Sequence, residues 1–550
     1  MSPYEEIIES FKDKYFLSPD GKNLNRLLEQ IGLAAESAVN GQGNGPNYRS
    51  SSPKSPLYQI AFGSEIPAVH SADINLLLSG LPAKLQGAAK AHDPFMAKNI
   101  IPLPTFAYLA TFVATSLFMP NGVTGEDAAT VLDSEIACAS ALAKLAGYDF
   151  NRSAGIFTFG GTGTNLYALK IGLMKAMPEH GATGLNGGNV VVIGSRSSHY
   201  CHQTSSNWLG IGQSNYLQAA TNLDQTTNLV DMEILCRKSL EAGKYIAGIE
   251  ALGGTTSNMA IDDIEAICQM RDMLVSEYGL NYKPHVHVDS VIGWAYLNFS
   301  NYDFGLNKLG FSPRVLEKAK KVTEAIMKIR FADSFGVDFH KTGYTPYVSS
   351  MIIVKDQDDF ALLRRDAKIM TPLFHDDSVY NPGIFTLETS RSAANMLATW
   401  ITLQTLGQDG FQALLGHSLE MSDLMRKELG AFENIGLYVA NRDSYGCDIF
   451  VRCYPPGTVP SSEFPKELND DSLLKANTRY TDHFAKWLFQ SKASVEEGIV
   501  LSKSSAAFYT HTGSPMVALR IYSLNPNMNS SYAKTLISRL AAAKKEFDEL

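Results

Sequence analysis

From about residue 96 to residue 405 the chain alternates between two hydrophobic periods, and this alternation limits the folds open to it. Val190–Ile193, Tyr245–Glu250, His285–Asp289 and Met351–Val354 are short apolar runs bounded by glycine or polar residues. Helical stretches separate them, such as Thr164 to Met177, with Leu166, Leu169, Leu173 and Met177 on one stripe. The pattern predicts an α/β domain with a mostly parallel sheet. Residues 1–95 read differently: a polar helix, then a Ser/Pro/Gly/Asn-rich stretch from Asn40 to Pro56 with the composition of a loop or linker. Over residues 406–550, a long helix from Gly410 to Leu429 precedes β-like runs near Asp448–Tyr454 and Val517–Tyr522, and a final amphipathic helix. A smaller α+β domain is expected there.

Bulk properties narrow the function. A net charge of −9 with no basic cluster argues against a nucleic-acid partner. The six cysteines are scattered, with no CxxC pair, and read as reduced thiols of a cytoplasmic protein, not as a disulfide framework or a zinc site. The N-terminus lacks a signal-peptide pattern. Ile100–Met119 carries no charge and has the length of a membrane span. Pro102 and Pro104 interrupt it and hydroxyls dilute it, so a buried helix is expected and no membrane partner.

Four segments carry candidate chemistry. In Phe157–Asn165 (FTFGGTGTN), glycines allow a tight turn into a helix whose first N–H groups face an anion, and Thr162 and Thr164 add hydroxyls. A phosphate cup and a plain glycine turn both fit; the dinucleotide and P-loop patterns do not. Ser195–Gly212 follows an apolar run and offers His199, with His202 competing, as a ring that could stack on a flat heterocycle in the crevice of an α/β sheet. In His285–Asp289 (HVHVD) a carboxylate ends an apolar strand, a costly place unless it meets a cation such as a protonated heteroaromatic nitrogen. The two histidines also permit a metal reading, though no further ligand motif accompanies them. Last comes Lys341, in Phe339-His340-Lys341 before a Gly-Tyr-x-Pro turn. It suits an imine-forming amine, and since only the neutral amine attacks a carbonyl, its pocket is expected to lower its pKa. Phosphate cup, stacking ring, carboxylate and lysine together match the needs of pyridoxal 5'-phosphate (PLP).

In this order and spacing the segments resemble the group II PLP-dependent amino-acid decarboxylases, members of the aspartate-aminotransferase-like fold type I. The resemblance runs from about Pro56 into the C-terminal domain. It implies a large domain with a seven-stranded, mostly parallel sheet, a smaller C-terminal α+β domain, PLP as cofactor, and a homodimer on which the N-terminal segment packs. It also implies that Lys341 carries the cofactor, that His340 lies near the phosphate, and that His199 stacks on the ring. Asp289 matches the aspartate of the family's HVDAA motif, with Val291 where relatives have alanine. Gly163 and Thr164, beside Gly161 and Thr162, match the phosphate-binding pair of GGTxSN. Thr256 and Asp262, in GGTTSNMAID, match the family's GTT…D segment. Arg391 maps onto a shared arginine taken as substrate-binding, and Tyr380, in HDDSVYNPG, sits where relatives place a mobile catalytic tyrosine. HKTGYTPY is similar to bacterial tyrosine decarboxylases, and Thr386–His417 to bacterial PLP-dependent aspartate decarboxylases. The reaction implied is α-decarboxylation of an L-amino acid, with aspartate or glutamate expected as substrate. Tyrosine or another aromatic amino acid, a carbon–carbon lyase and an aldehyde-forming enzyme are the alternatives.

Overall fold

The computed structural model describes residues 2–43, 45–47, 61–69, 73–185, 189–366, 380–491 and 498–550. Most of the Asn40–Pro56 stretch and the residues just before Tyr380 lie outside that set. Residues 1–96 with 486–500 form one compact unit, and residues 97–485 with 501–550 form another. Both sheets described below belong to the second.

The apolar runs become a seven-stranded sheet. Its strands are β1 (Ala154–Thr158), β2 (Val190–Ser195), β3 (Tyr216–Ala219), β4 (Tyr245–Leu252), β5 (His285–Asp289), β6 (Ser334–Asp338) and β7 (Ser350–Val354), in the order β1-β7-β6-β5-β4-β2-β3. β3, β2, β4, β5 and β6 run parallel, while β7 is antiparallel to both β6 and β1. The fold is therefore α/β with a mixed, mainly parallel sheet. Successive residues alternate between two buried faces: Val191 and Ile193 enter one core, Val190 and Val192 another. Burial on both sides explains why these strands read as unbroken apolar runs. A second, antiparallel sheet has the order β10-β11-β9-β8, from β8 (Leu437–Val439), β9 (Asp448–Cys453), β10 (Ser502–Tyr509) and β11 (Pro515–Tyr522).

Two helices differ from expectation. The helix placed at Gly410–Leu429 extends from Ala393 to Gly430, interrupted by non-helical backbone at Gly407. Within Ile100–Met119 the helix covers only Phe106–Ser116, and it is not buried in this chain: Phe106, Leu109, Phe112 and Val113 are exposed, as are Phe118 and Met119 beyond it. Its apolar character therefore serves an outer face. Among the described residues no helix is long and apolar enough to cross a membrane.

The helix Gly161–Ala176 packs across β4, β5, β6 and β7, and its start lies at the carboxyl ends of the parallel strands. Close approach depends on Gly172, where a Cβ would stand 2.2 Å from the backbone oxygen of Ala247. Backbone cannot yield as a side chain can. Gly172→Ala is expected to lower stability by about 1–3 kcal/mol through overpacking, read as a fall in denaturation midpoint; an unchanged midpoint would show that the helix can lift away freely.

Candidate active site

The strand ends converge on a cavity of about 600 Å3, within the range of small-ligand sites. Its walls come from the turn after β1, the segment after β2, the loop after β4, the ends of β5 and β6, and β11. This is the carboxyl edge where open α/β sheets take ligands.

Gly160, at φ 112°, makes the turn out of β1 that an L side chain would strain. It lets Gly161 and Thr162 line the cavity at the start of the helix, where the first N–H groups have no partner within the helix. Gly163 and Thr164 face elsewhere. Their N–H groups bond to the Gly160 oxygen at 2.8 and 3.2 Å, and the Thr164 hydroxyl donates to the Gly161 oxygen at 2.8 Å. Within this motif the anion-facing role thus falls to Gly161 and Thr162. A side chain at Gly161 would collide with Asp338 Oδ2 and Val291, at 2.9 and 3.0 Å.

Of the two histidines after β2, His199 lines the cavity and His202 does not. The His199 Nδ1 accepts the Cys201 N–H at 3.3 Å, and the Tyr200 ring packs against its own with centroids 4.2 Å apart. Desolvation holds that ring below the ordinary histidine pKa, against the pull of Asp289. Asp289 ends β5 with its carboxylate facing the cavity, and its Oδ2 accepts a bond from His202 Nε2 at 2.9 Å. Burial would raise the Asp289 pKa, but the bond from His202 and the nearby cations hold it far below the usual carboxylate range. His285 and His287, four and two residues earlier on β5, share the Ser334 hydroxyl at 2.7 and 2.8 Å, and His287 also meets Asn165 at 3.0 Å. Those bonds satisfy buried rings on the face covered by the helix Gly161–Ala176.

Lys341 also opens on the cavity, with its Nζ 2.9 Å from Asp338 Oδ2. The expected lowering of its pKa is not what this pocket produces. Desolvation works in that direction, yet Asp338 and Asp289 outweigh it and hold the amine above the ordinary lysine value. His340 lines the same wall, its Nδ1 2.9 Å from the Ser349 oxygen. Thr256 reaches the cavity, and its carbonyl accepts the Tyr522 hydroxyl. Asp262 stands behind that loop: fully buried, it accepts the N–H groups of Leu252 and Thr227 at 2.9 and 2.7 Å, and burial raises its pKa to about 6.

Besides Gly163, Thr164 and Asp262, neither Arg391 nor Tyr380 is brought to the cavity. Arg391 is buried against Glu135, and also donates to the Gly122 and Phe157 carbonyls. Tyr380 places its hydroxyl 3.3 Å from the same Glu135. Both belong to a buried cluster behind β1, whose Phe157 N–H donates to Glu135 at 2.7 Å. A carboxylate buried without a cation would be costly, so Arg391 is used up in neutralising Glu135. In its place β11 supplies Arg520, which lines the cavity and bonds Ser502 and Asn99, each at 3.2 Å. Its guanidinium stands 5.2 Å over the Tyr522 ring and acts at longer range on the buried Asp448 carboxylate.

The donor set fits PLP on its own chemistry. The N–H groups of Gly161 and Thr162, without a backbone acceptor among the described residues, would suit the anion end, a carboxylate held ionised would suit a ring nitrogen, and a lysine amine opens on the same cavity. A model of the pyridoxal-dependent decarboxylase conserved domain matches residues 318–442. The sequence is also similar to those of PLP-dependent amino-acid decarboxylases. It is 25% identical over 346 residues to an L-2,4-diaminobutyrate decarboxylase of Rhizobium meliloti, covering 62% of this chain and 61% of that protein. It is 26% identical over 273 residues to an L-tyrosine decarboxylase of Enterococcus faecium, covering 45% and 43%. The alignments thus span less than two thirds of either relative. The glutamate decarboxylase domain of a Vibrio parahaemolyticus protein shares the fold at a TM-score of 0.72 and 18% identity, over 99% of this chain and all of that one.

Proposed function

We propose that the protein is a PLP-dependent decarboxylase of L-amino acids, with an acidic substrate, aspartate or glutamate. The observation that carries this reading is the convergence of Lys341, Asp289, His199 and the Gly161–Thr162 helix start on one cavity. When bound, the cofactor would supply an electron sink for the pair left behind as CO2 departs. Gly161 and Thr162 would hold its phosphate through their N–H groups, His199 would cover one face of its ring, and Asp289 would hold a proton on its ring nitrogen. Lys341 would attach it covalently. Before its amine can attack it must give up the proton that Asp338, at 2.9 Å, and Asp289 hold on it.

Arg520 supports the acidic substrate. A guanidinium paired with the α-carboxylate would stabilise the ground state more than the departing, neutral CO2, and so slow the step. The same cation on a side-chain carboxylate helps binding without that penalty.

Borohydride treatment of the PLP-loaded protein is expected to fix a pyridoxyl group on Lys341, found by peptide mapping; a label on another lysine would refute the assignment. Arg520→Gln should then cut kcat/KM for aspartate or glutamate by about a hundredfold, as expected for loss of a charge-assisted hydrogen bond worth up to about 3 kcal/mol, and alter tyrosine and 2,4-diaminobutyrate much less. Equal losses on all four amino acids would place Arg520 on the α-carboxylate, and a wild-type preference for tyrosine would overturn the acidic reading.

A homodimer belongs to the same proposal. Phe106, Phe118 and Met119 are each more than four-fifths exposed, and Tyr200 and Tyr347, at the cavity, are 74% and 62% exposed. Exposed apolar surface of this kind marks an interaction face, and a second copy is the partner that would also close the cavity mouth. Sedimentation at micromolar concentration should show a dimer that Phe106→Asp with Phe118→Asp dissociates. Full activity in a monomeric species would contradict this.

A further inference from the structure

Two carboxylates and an imidazole stand in line behind the cavity floor. His202 projects from the helix Cys201–Trp208, Glu250 from β4 and Asp289 from the end of β5. The His202 and Glu250 side chains are 1% and 2% exposed. The His202 Nε2 lies 2.9 Å from Asp289 Oδ2, and its Nδ1 contacts Glu250 Oε2. Tyr216 stacks beside the ring, and Asn165 approaches Nε2 at 3.5 Å while its own amide is held by His287 and Cys201.

A neutral imidazole has one N–H and one lone pair. With a carboxylate at each nitrogen, the neutral ring would aim its lone pair at an anion in a place that water does not screen. A doubly protonated ring donates to both. Burial alone would push His202 towards the neutral form, but Glu250, then Cys201 and Asp289, reverse that and raise its pKa well above the ordinary histidine value.

Glu250 then has a second consequence. An imidazolium bonded to Asp289 alone would cancel its charge, and the cavity would meet a neutral pair. The second carboxylate restores one net negative charge to the three groups. Its close contact also orients the ring, and so the Asp289 carboxylate, whose Oδ1 meets only the Val291 N–H, at 3.5 Å, among the described residues and lies at the cavity. Neither His202 nor Glu250 lines the cavity, so both act through Asp289.

We propose that Glu250 and His202 are positioning residues that lock Asp289 as a fixed, singly charged acceptor for the ring nitrogen of bound PLP. The inference rests on the PLP reading, and its test separates the two. In the cofactor-free protein labelled with 15N-histidine, the His202 signal is assigned by its loss in His202→Gln. It is expected to report a doubly protonated ring at pH 8, where an ordinary histidine with a pKa of about 6.5 is neutral. Glu250→Gln should let that ring lose a proton by pH 8. In the loaded enzyme it should weaken PLP binding and lower kcat by about tenfold or more, the scale of one charge-assisted hydrogen bond, with KM for the amino acid changed less than about threefold. A neutral His202 in the wild-type protein at pH 8 would overturn the proposal, as would a folded Glu250→Gln with unchanged PLP affinity and kcat. If Glu250→Gln does not fold, the wild-type titration decides alone. Failure of borohydride to label Lys341 would instead remove the cofactor reading, and the imidazolium measurement would still stand or fall by itself.

Discussion

The aspartate that ends β6 holds the site's separate pieces to one another. Asp338 Oδ1 accepts the Ser350 hydroxyl at 2.6 Å, tying β6 to the antiparallel β7, and its Oδ2 holds the Lys341 ammonium. Its backbone oxygen accepts the Trp294 indole N–H at 3.2 Å, and its side chain fills the space that Gly161 leaves open. Sheet edge, lysine, glycine turn and the segment after β5 therefore share one buried carboxylate. At 1% exposure Asp338 is sustainable only because each oxygen has a partner.

That arrangement explains how Lys341 can be buried and charged at once. Removing an ammonium from water favours the neutral amine, yet two carboxylates within reach reverse the balance. Desolvation alone therefore does not neutralise this amine, because Asp338 and Asp289 hold its charge. Asp289 shows the complementary case, an anion kept ionised by cations around it.

Much of this was legible in the chain because it is local. The β-like runs at 190–193, 245–250, 285–289 and 351–354 became strands, since each is short, apolar and buried on both faces. Asp289 and Lys341 stand out by chemistry that conflicts with an apolar neighbourhood. Asp338 gave the same signal, a carboxylate ending an apolar strand three residues before the lysine, and could have been found by the argument applied to Asp289. Arg520 could not: it lies on a strand of the other sheet, and only the tertiary fold carries β11 to the cavity. Arg391 misleads for the mirror reason. Its partner Glu135 is 256 residues away, so nothing near it in sequence shows that its charge is already taken. The helix Phe106–Ser116 reads as interior because apolar composition does not distinguish a core from an exposed apolar face.

The order of the strands also sets when this site can exist. β1 ends at Thr158 and leads straight into the glycine turn, but its partner in the sheet, β7, begins only at Ser350. Until that strand has been synthesised, β1 has no place in the sheet, and the turn it feeds has no fixed position beside Lys341. Long loops of this kind carry an entropic cost that is met only once the distant strand arrives. During synthesis, domain folding and creation of the cofactor pocket thus become one late event, and a chain interrupted before residue 350 leaves a bare apolar strand open to pairing with a neighbour.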